Sequence, residues 1–127
     1  MPSSQGSRPP VGLTWRLTGR QAFHSLRRAG RKGHSGPVTV ISAPSSAARP
    51  RVAFALSRKV GTAVTRNLIR RRLRALMSEA EQQGRLPIND YLIVGAPAIT
   101  TLSYPQLRDH LSAAVRSANR PRAGVAR

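Results

Sequence analysis

The sequence predicts an α+β fold with its elements in the order αββαβα, on three observations. Two long segments repeat apolar residues at helical spacing, and two short β-rich runs are bounded by Pro, Ser and Gly. A third run, Asp90-Tyr-Leu-Ile-Val-Gly95, is apolar almost throughout, as in a strand covered on both faces, and it is expected inside the sheet. With 127 residues the chain has room for one domain with a modest core, because domains cluster near roughly 100 to 150 residues.

Residues 1–12 are rich in Ser, Pro and Gly and read as a flexible tail, since they offer too little apolar surface to offset the entropy of ordering. Residues 119–127 read as a second, basic tail, which leaves residues 13–118 as the folded unit. Thr18-Gly-Arg-Gln21 has the spacing of a capping box and opens a short helix that carries Phe23 and Leu26 and stops near Gly30. Pro37-Val-Thr-Val-Ile41 and Arg51-Val-Ala-Phe-Ala-Leu56 follow as strands, expected to pair as an antiparallel hairpin across the loop from Ala43 to Pro50. From Ala63 to about Gln83, Ile69, Leu73, Leu76, Met77 and Ala80 form one buried stripe of a long helix, which Gly84 and Pro87 end. Ser103-Tyr-Pro-Gln106 is another capping box with Pro in the first turn, and Leu107, Leu111, Ala114 and Val115 form the apolar face of the last helix. One further short strand has no assigned place.

Composition narrows the partner. Lys and Arg total 22 against 4 Asp and Glu, a formal charge of +18 that repels itself unless a polyanion neutralises it. Nucleic acid and an anionic membrane surface both satisfy that demand. Apart from Lys32 and Lys59 every one of these cations is arginine, whose planar fork suits phosphate contacts and base stacking. No run approaches the ~20 apolar residues of a membrane span, and the first ten residues lack the apolar core of a signal peptide. With no Trp/Phe/Leu-rich face for an amphipathic anchor, no membrane partner is expected. The absence of cysteine excludes disulfides and thiol chemistry and fits an intracellular, cytoplasmic protein.

The densest chemistry lies in Ser57-Arg-Lys-Val-Gly-Thr-Ala-Val-Thr-Arg-Asn-Leu-Ile-Arg-Arg-Arg-Leu-Arg74. At about 100° per residue, Arg66, Asn67, Arg70, Arg71 and Arg74 share an arc of about 140° beside the apolar stripe. Arg72 projects from the other flank, and Leu68 points outward with no core to join. Arg58 and Lys59 precede the helix start at Gly61 and Thr62, where cations oppose the helix dipole unless an anion intervenes, so the junction is a second candidate phosphate site. A solvated basic face is the bland alternative; the density of arginine on one arc favours RNA contact. Glu79, Glu81, Asp90 and Asp109 are too few and too scattered for a protein-built metal site, and His24, His34 and His110 show no triad or ligand spacing and are expected at the surface.

This segment resembles the signature helix of the bacterial ribonuclease P protein family, in which a strand ending Ser-(Lys/Arg)-Lys leads through a Gly turn into an Arg-Asn-Arg helix. Ser57, Arg58, Lys59, Gly61, Ala63, Val64, Arg66, Asn67, Arg70, Arg71 and Arg74 match it, whereas Leu68 stands where the family usually has its second arginine. Arg20, Phe23, Leu26 and Gly30 resemble the family's first helix, and the likeness runs from about Leu17 to Val115. The resemblance implies a two-layer α/β sandwich with a left-handed crossover through the signature helix, where spacing alone predicts the common right-handed one. It implies a non-catalytic protein subunit of an endoribonuclease that removes the 5′ leader of precursor tRNA, with the active site in a catalytic RNA and magnesium accompanying that RNA. Arg58, Lys59, Arg66, Asn67, Arg70, Arg71 and Arg74 are then expected on the catalytic RNA, and Phe23, Arg27 and Lys59 near the leader. Phe23 reads by itself as a core residue, and its stacking on a leader base rests on the resemblance. A small ribosomal protein is the runner-up; a DNA-binding helix-turn-helix protein would need a short helix immediately before the arginine helix, where strand residues Val52 to Leu56 stand instead.

Overall fold

The computed structural model describes Trp15–Arg16, Leu26, Arg28, residues 30–44 and residues 49–120. In chain order the elements are β1 (Trp15–Arg16), β2 (Arg31–Ser35), β3 (Val38–Pro44), β4 (Arg51–Leu56), a 3-10 turn at Arg58–Val60, α1 (Ala63–Gln82), β5 (Asn89–Gly95), a second 3-10 turn at Pro97–Thr101, and α2 (Tyr104–Asn119). Leu26 and Arg28 are helical, and Gly30 N–H donates to Leu26 C=O at 2.8 Å, which ends that helix where the glycine was expected to end it. The Thr18–Gln21 capping box, Phe23 and Arg27 lie outside the described residues.

The strands form one sheet in the order β1-β4-β5-β3-β2. Parallel pairing joins β1 to β4 and β4 to β5, and antiparallel pairing joins β5 to β3 and β3 to β2. The apolar run at β5 sits in the middle, as its lack of alternation predicts. The hairpin expected between β3 and β4 does not form, because β5 lies between them. The hairpin that does form pairs β3 with β2 across a two-residue turn at Gly36 and Pro37. Arg31–Ser35 is the further short strand that had no assigned place; its one buried position, Gly33, has no apolar side chain to reveal a period of two.

Period-two alternation then divides the core. On the first face Val38, Val40, Val52, Leu56, Tyr91 and Ile93 meet α1 and α2, which contribute Ile69, Leu73, Leu76 and Met77, and Leu107, Leu111, Ala114, Val115 and Ala118. On the second face Ile41, Ala53 and Leu92, adjacent in register, pack with Leu26. β4, α1 and β5 thus make a parallel crossover unit, with both stripes predicted for the long helices turned onto the sheet. Ser103 caps α2 as predicted: its Oγ accepts from Gln106 N–H at 3.3 Å while Gln106 Oε1 accepts from Ser103 N–H at 2.8 Å.

α2 crosses β2 at a glycine for a steric reason. A Cβ at Gly33 would collide with Ala118 N and Ala114 C=O of the helix backbone, so only glycine admits this approach. A polar network fixes the far end of α2. Asn119 Oδ1 accepts from Ser42 Oγ and Asn89 Nδ2, each at 2.9 Å, and its Nδ2 donates to Tyr91 Oη, which in turn donates to Pro87 C=O at 2.7 Å. His110, expected at the surface, is instead half-buried, with Nδ1 2.8 Å from Ser35 Oγ; His34 is exposed, and His24 lies outside the described residues.

Candidate nucleic-acid interface

Strands β4 and β5 run parallel and end together at Leu56 and Gly95, each followed by a 3-10 turn. The two turns pack against each other, with Val60 and Ile99 buried in the common core. Burying Val60 leaves Arg58 and Lys59, the other two residues of its turn, exposed at the mouth of the crossover. Gly61 follows, and Thr62 caps α1 by accepting Thr65 N–H on its Oγ1 at 3.2 Å.

The first turn of α1 holds no acidic residue, so nothing in the helix itself complements the positive end of its dipole. The arginine arc starts immediately after that turn. Arg66, Arg70 and Arg74 are half-buried along the edge of the apolar stripe, and Asn67 and Arg71 stand further out and are exposed. Half-burial fixes the stems against the core while the guanidinium ends reach outward. Two of them are aimed by neutral acceptors: Arg66 Nε donates to Gly61 C=O at 3.3 Å, and an Arg70 Nη donates to Asn67 Oδ1 at 2.9 Å. Asn67 is thereby a positioning partner of Arg70, a role that its spacing of three residues on a helix permits.

Charge is left over on this surface. The ion pairs among the described residues are Arg49 with Glu81, Arg51 with Asp90 and Arg108 with Asp109, and none involves Arg58, Lys59, Arg66, Arg70, Arg71 or Arg74. Leu68 is 41% exposed and Val64 79% exposed on the outer side of the same helix, so Leu68 does leave the core as its spacing predicts.

The second sheet face is different in kind. Around its packed centre, Thr39, Ala43, Ala55 and Val94 are only half-buried, and the register of β2 on β3 puts Lys32 and His34 on this same face, both exposed. The result is a strip of small side chains with a basic margin. Lys32 and His34 were missed as site candidates because β2 was missed; the alternation of exposed and buried positions around Gly33 was the available signal. At one end of the strip Arg51 donates twice to Asp90, at 2.8 Å from both Nε and Nη2, and these bonds raise the arginine's pKa further against the opposing effect of desolvation. Phe23 and Arg27 fall outside the described residues, while Lys59 belongs to the exposed turn.

Among the described residues no three His, Asp or Glu side chains come together to hold a metal ion. No described helix is long and apolar enough to cross a membrane. A strand, not a helix, precedes α1, which removes the helix-turn-helix alternative.

Residues 13–119 match the protein family described as Ribonuclease P. The chain belongs to the ribonuclease P protein family. It is 42% identical over 106 residues to the ribonuclease P protein component of Thermobifida fusca, covering 80% of this chain and 71% of that protein. To the corresponding component of Thermus brockianus it is 35% identical over 121 residues, covering 91% and 70%. The fold agrees: the RNase P protein of Staphylococcus aureus superposes with a TM-score of 0.74 at 18% identity, over 83% of this chain and 95% of that one. Membership gives the chain a role in tRNA 5′ processing, as the protein component of a ribonucleoprotein with an RNA partner.

Proposed function

We propose that the chain docks on the catalytic RNA of ribonuclease P through the arginine face of α1 and the Arg58–Lys59 turn, and that it holds the 5′ leader of precursor tRNA. The observation that carries this reading is the set of cations along one edge of α1 that form no ion pair among the described residues, two of them, Arg66 and Arg70, oriented by neutral acceptors. Arg58, Lys59, Arg66, Arg70, Arg71 and Arg74 act on phosphates, and Asn67 orients Arg70. The second sheet face suits a single strand, because small side chains let bases approach and a basic margin follows the backbone. Phe23 and Arg27, which lie outside the described residues, are with Lys59 the residues we assign to the leader. Phosphodiester hydrolysis belongs to the RNA and its magnesium, the protein contributing substrate affinity and stability of the complex in the cytoplasm.

Reconstitution tests the proposal. The chain mixed with a bacterial ribonuclease P RNA should stimulate precursor tRNA cleavage clearly at low magnesium, where phosphate repulsion is least screened. Phe23→Ala should then lose affinity for leader-bearing precursor and keep it for mature tRNA. Absence of stimulation across several such RNAs contradicts the docking assignment, and equal losses on both tRNAs remove Phe23 from the leader site.

A further inference from the structure

α1 and α2 lie side by side on the first sheet face and meet over only a short stretch, which leaves a furrow of ≈ 300 Å³ between them. Its floor is Leu76, Met77, Leu111 and Val115, with Ala80 and Ser112 on the walls. Three arginines stand around the mouth: Arg85 just past the end of α1, and Arg108 and Arg116 two turns apart on α2. One carboxylate, Glu79, shares the rim. Arg85 is held by a neutral partner, its Nε donating to Gln83 Oε1 at 2.8 Å, and Arg108 approaches Asp109 only loosely, at 3.7 Å between side chains 52% and 78% exposed. Arg116 is exposed and takes part in no ion pair among the described residues.

An apolar slot with an excess of guanidinium at its mouth selects a ligand with an apolar body and an anionic head. Residues 1–14 and 121–127 offer it no acidic side chain. All the chain's carboxylate side chains are at Glu79, Glu81, Asp90 and Asp109, while residues 121–127 carry Arg122 and Arg127 and would be repelled by the rim. At ~30 Å³ per non-hydrogen atom, the furrow accommodates about ten such atoms. We propose that this furrow binds a free medium-chain carboxylate, the chain lying on Leu76, Met77, Leu111 and Val115 and the carboxylate taken by Arg116 with Arg85 or Arg108. The site lies on the sheet face opposite the strip assigned to the leader.

Octanoate is the probe, titrated into the full chain while the methyl resonances of Leu76, Met77, Leu111 and Val115 are followed by NMR. Saturable shifts confined to these methyls are expected, with none from octylammonium or inorganic phosphate at the same concentrations. Arg116→Glu should weaken octanoate by at least about tenfold, since it removes one charge-assisted hydrogen bond and sets a second carboxylate against the ligand. Ser112→Phe, which fills the slot from its wall, should abolish binding; where that variant loses its dispersed methyl spectrum, the exposed Arg116 variant decides alone. Equal binding of octylammonium reduces the furrow to an unselective apolar gap, and equal binding of phosphate reduces it to a bare arginine patch. Shifts at Ile41 and Leu92, or a response to anionic lipid vesicles without one to octanoate, likewise overturn the proposal.

Discussion

Tyr91 shows how one side chain ties the helix layer to the sheet. It is fully buried at the centre of β5, and its hydroxyl closes the network that runs through Asn119 to Ser42 and Asn89. Burial pushes its pKa up from the ordinary value of 10.0, against smaller opposing effects of hydrogen bonds with Asn119 and Asn89. The sign of the consequence follows from linkage: the folded state holds the proton more tightly than the unfolded chain, so this stabilisation is complete below pH 10 and is lost as pH rises through the folded value. Tyr91→Phe leaves Asn119 Nδ2 without its acceptor and Pro87 C=O without its donor, and should cost about 1 to 3 kcal/mol at pH 7. The gap between the two proteins should narrow above pH 10, as urea unfolding at pH 7, 9 and 10.5 can show. Asp90 offers a second residue-scale check. Asp90→Asn keeps the shape but removes a charge-assisted pair whose side chains are 28% and 12% exposed. Solvent screening at the arginine limits the expected loss to about 1 kcal/mol, and a melt at neutral pH in low and high salt should show the difference shrinking with salt.

At the scale of elements, α1 does two jobs with one surface, burying Ile69, Leu73, Leu76 and Met77 while presenting its arginines along the stripe's edge. Arg70→Ala and Arg74→Ala should each weaken binding to ribonuclease P RNA and flatten log affinity against log salt by about 0.7 to 0.9 for each phosphate no longer neutralised. Leu68→Ala, which removes no charge, should leave that slope alone, and three indistinguishable variants would remove the arginine face from the interface. β2 is the weak point at the edge of the sheet, because Gly33 sits directly under α2. Gly33→Ala should cost about 3 kcal/mol or more, since helix backbone rather than a flexible side chain blocks the new methyl; chemical denaturation measures it. These two elements also mark what could be read in advance. α1, the β5 run, the Ser103 cap and the arginine arc were legible because each is written in local periodicity or capping chemistry. Strand partners were not: β3 and β4 follow one another in sequence, yet β5 enters between them, a choice set by the crossover and not by either strand's own residues. β2 was hidden because its buried position is a glycine, and Lys32 and His34 disappeared from the candidate site with it.

For the molecule as a whole the dominant fact is a charge of +18 on a core of two small clusters. That figure already counts the four acidic residues, of which Asp90 and Glu81 pair with Arg51 and Arg49. Self-repulsion therefore acts on the compact state, and the unfolded chain relieves it by expansion. Two remedies are physically distinct. Simple salt screens the repulsion everywhere, whereas a multivalent anion seated on Arg58, Lys59 and the start of α1 binds the native arrangement and shifts the equilibrium by mass action. At tenfold its dissociation constant such an anion contributes about 1.4 kcal/mol, which for a domain of this size raises Tm by about 5 to 10 °C. Sodium sulfate should thus stabilise the chain more than sodium chloride at equal ionic strength, with a saturating dependence on concentration. Arg58→Ala combined with Lys59→Ala should remove the excess and leave the chloride response intact, because the substituted side chains are exposed and the core is untouched. Sulfate and chloride curves that coincide at equal ionic strength would mean that screening alone acts, and that the turn before α1 is not an anion site.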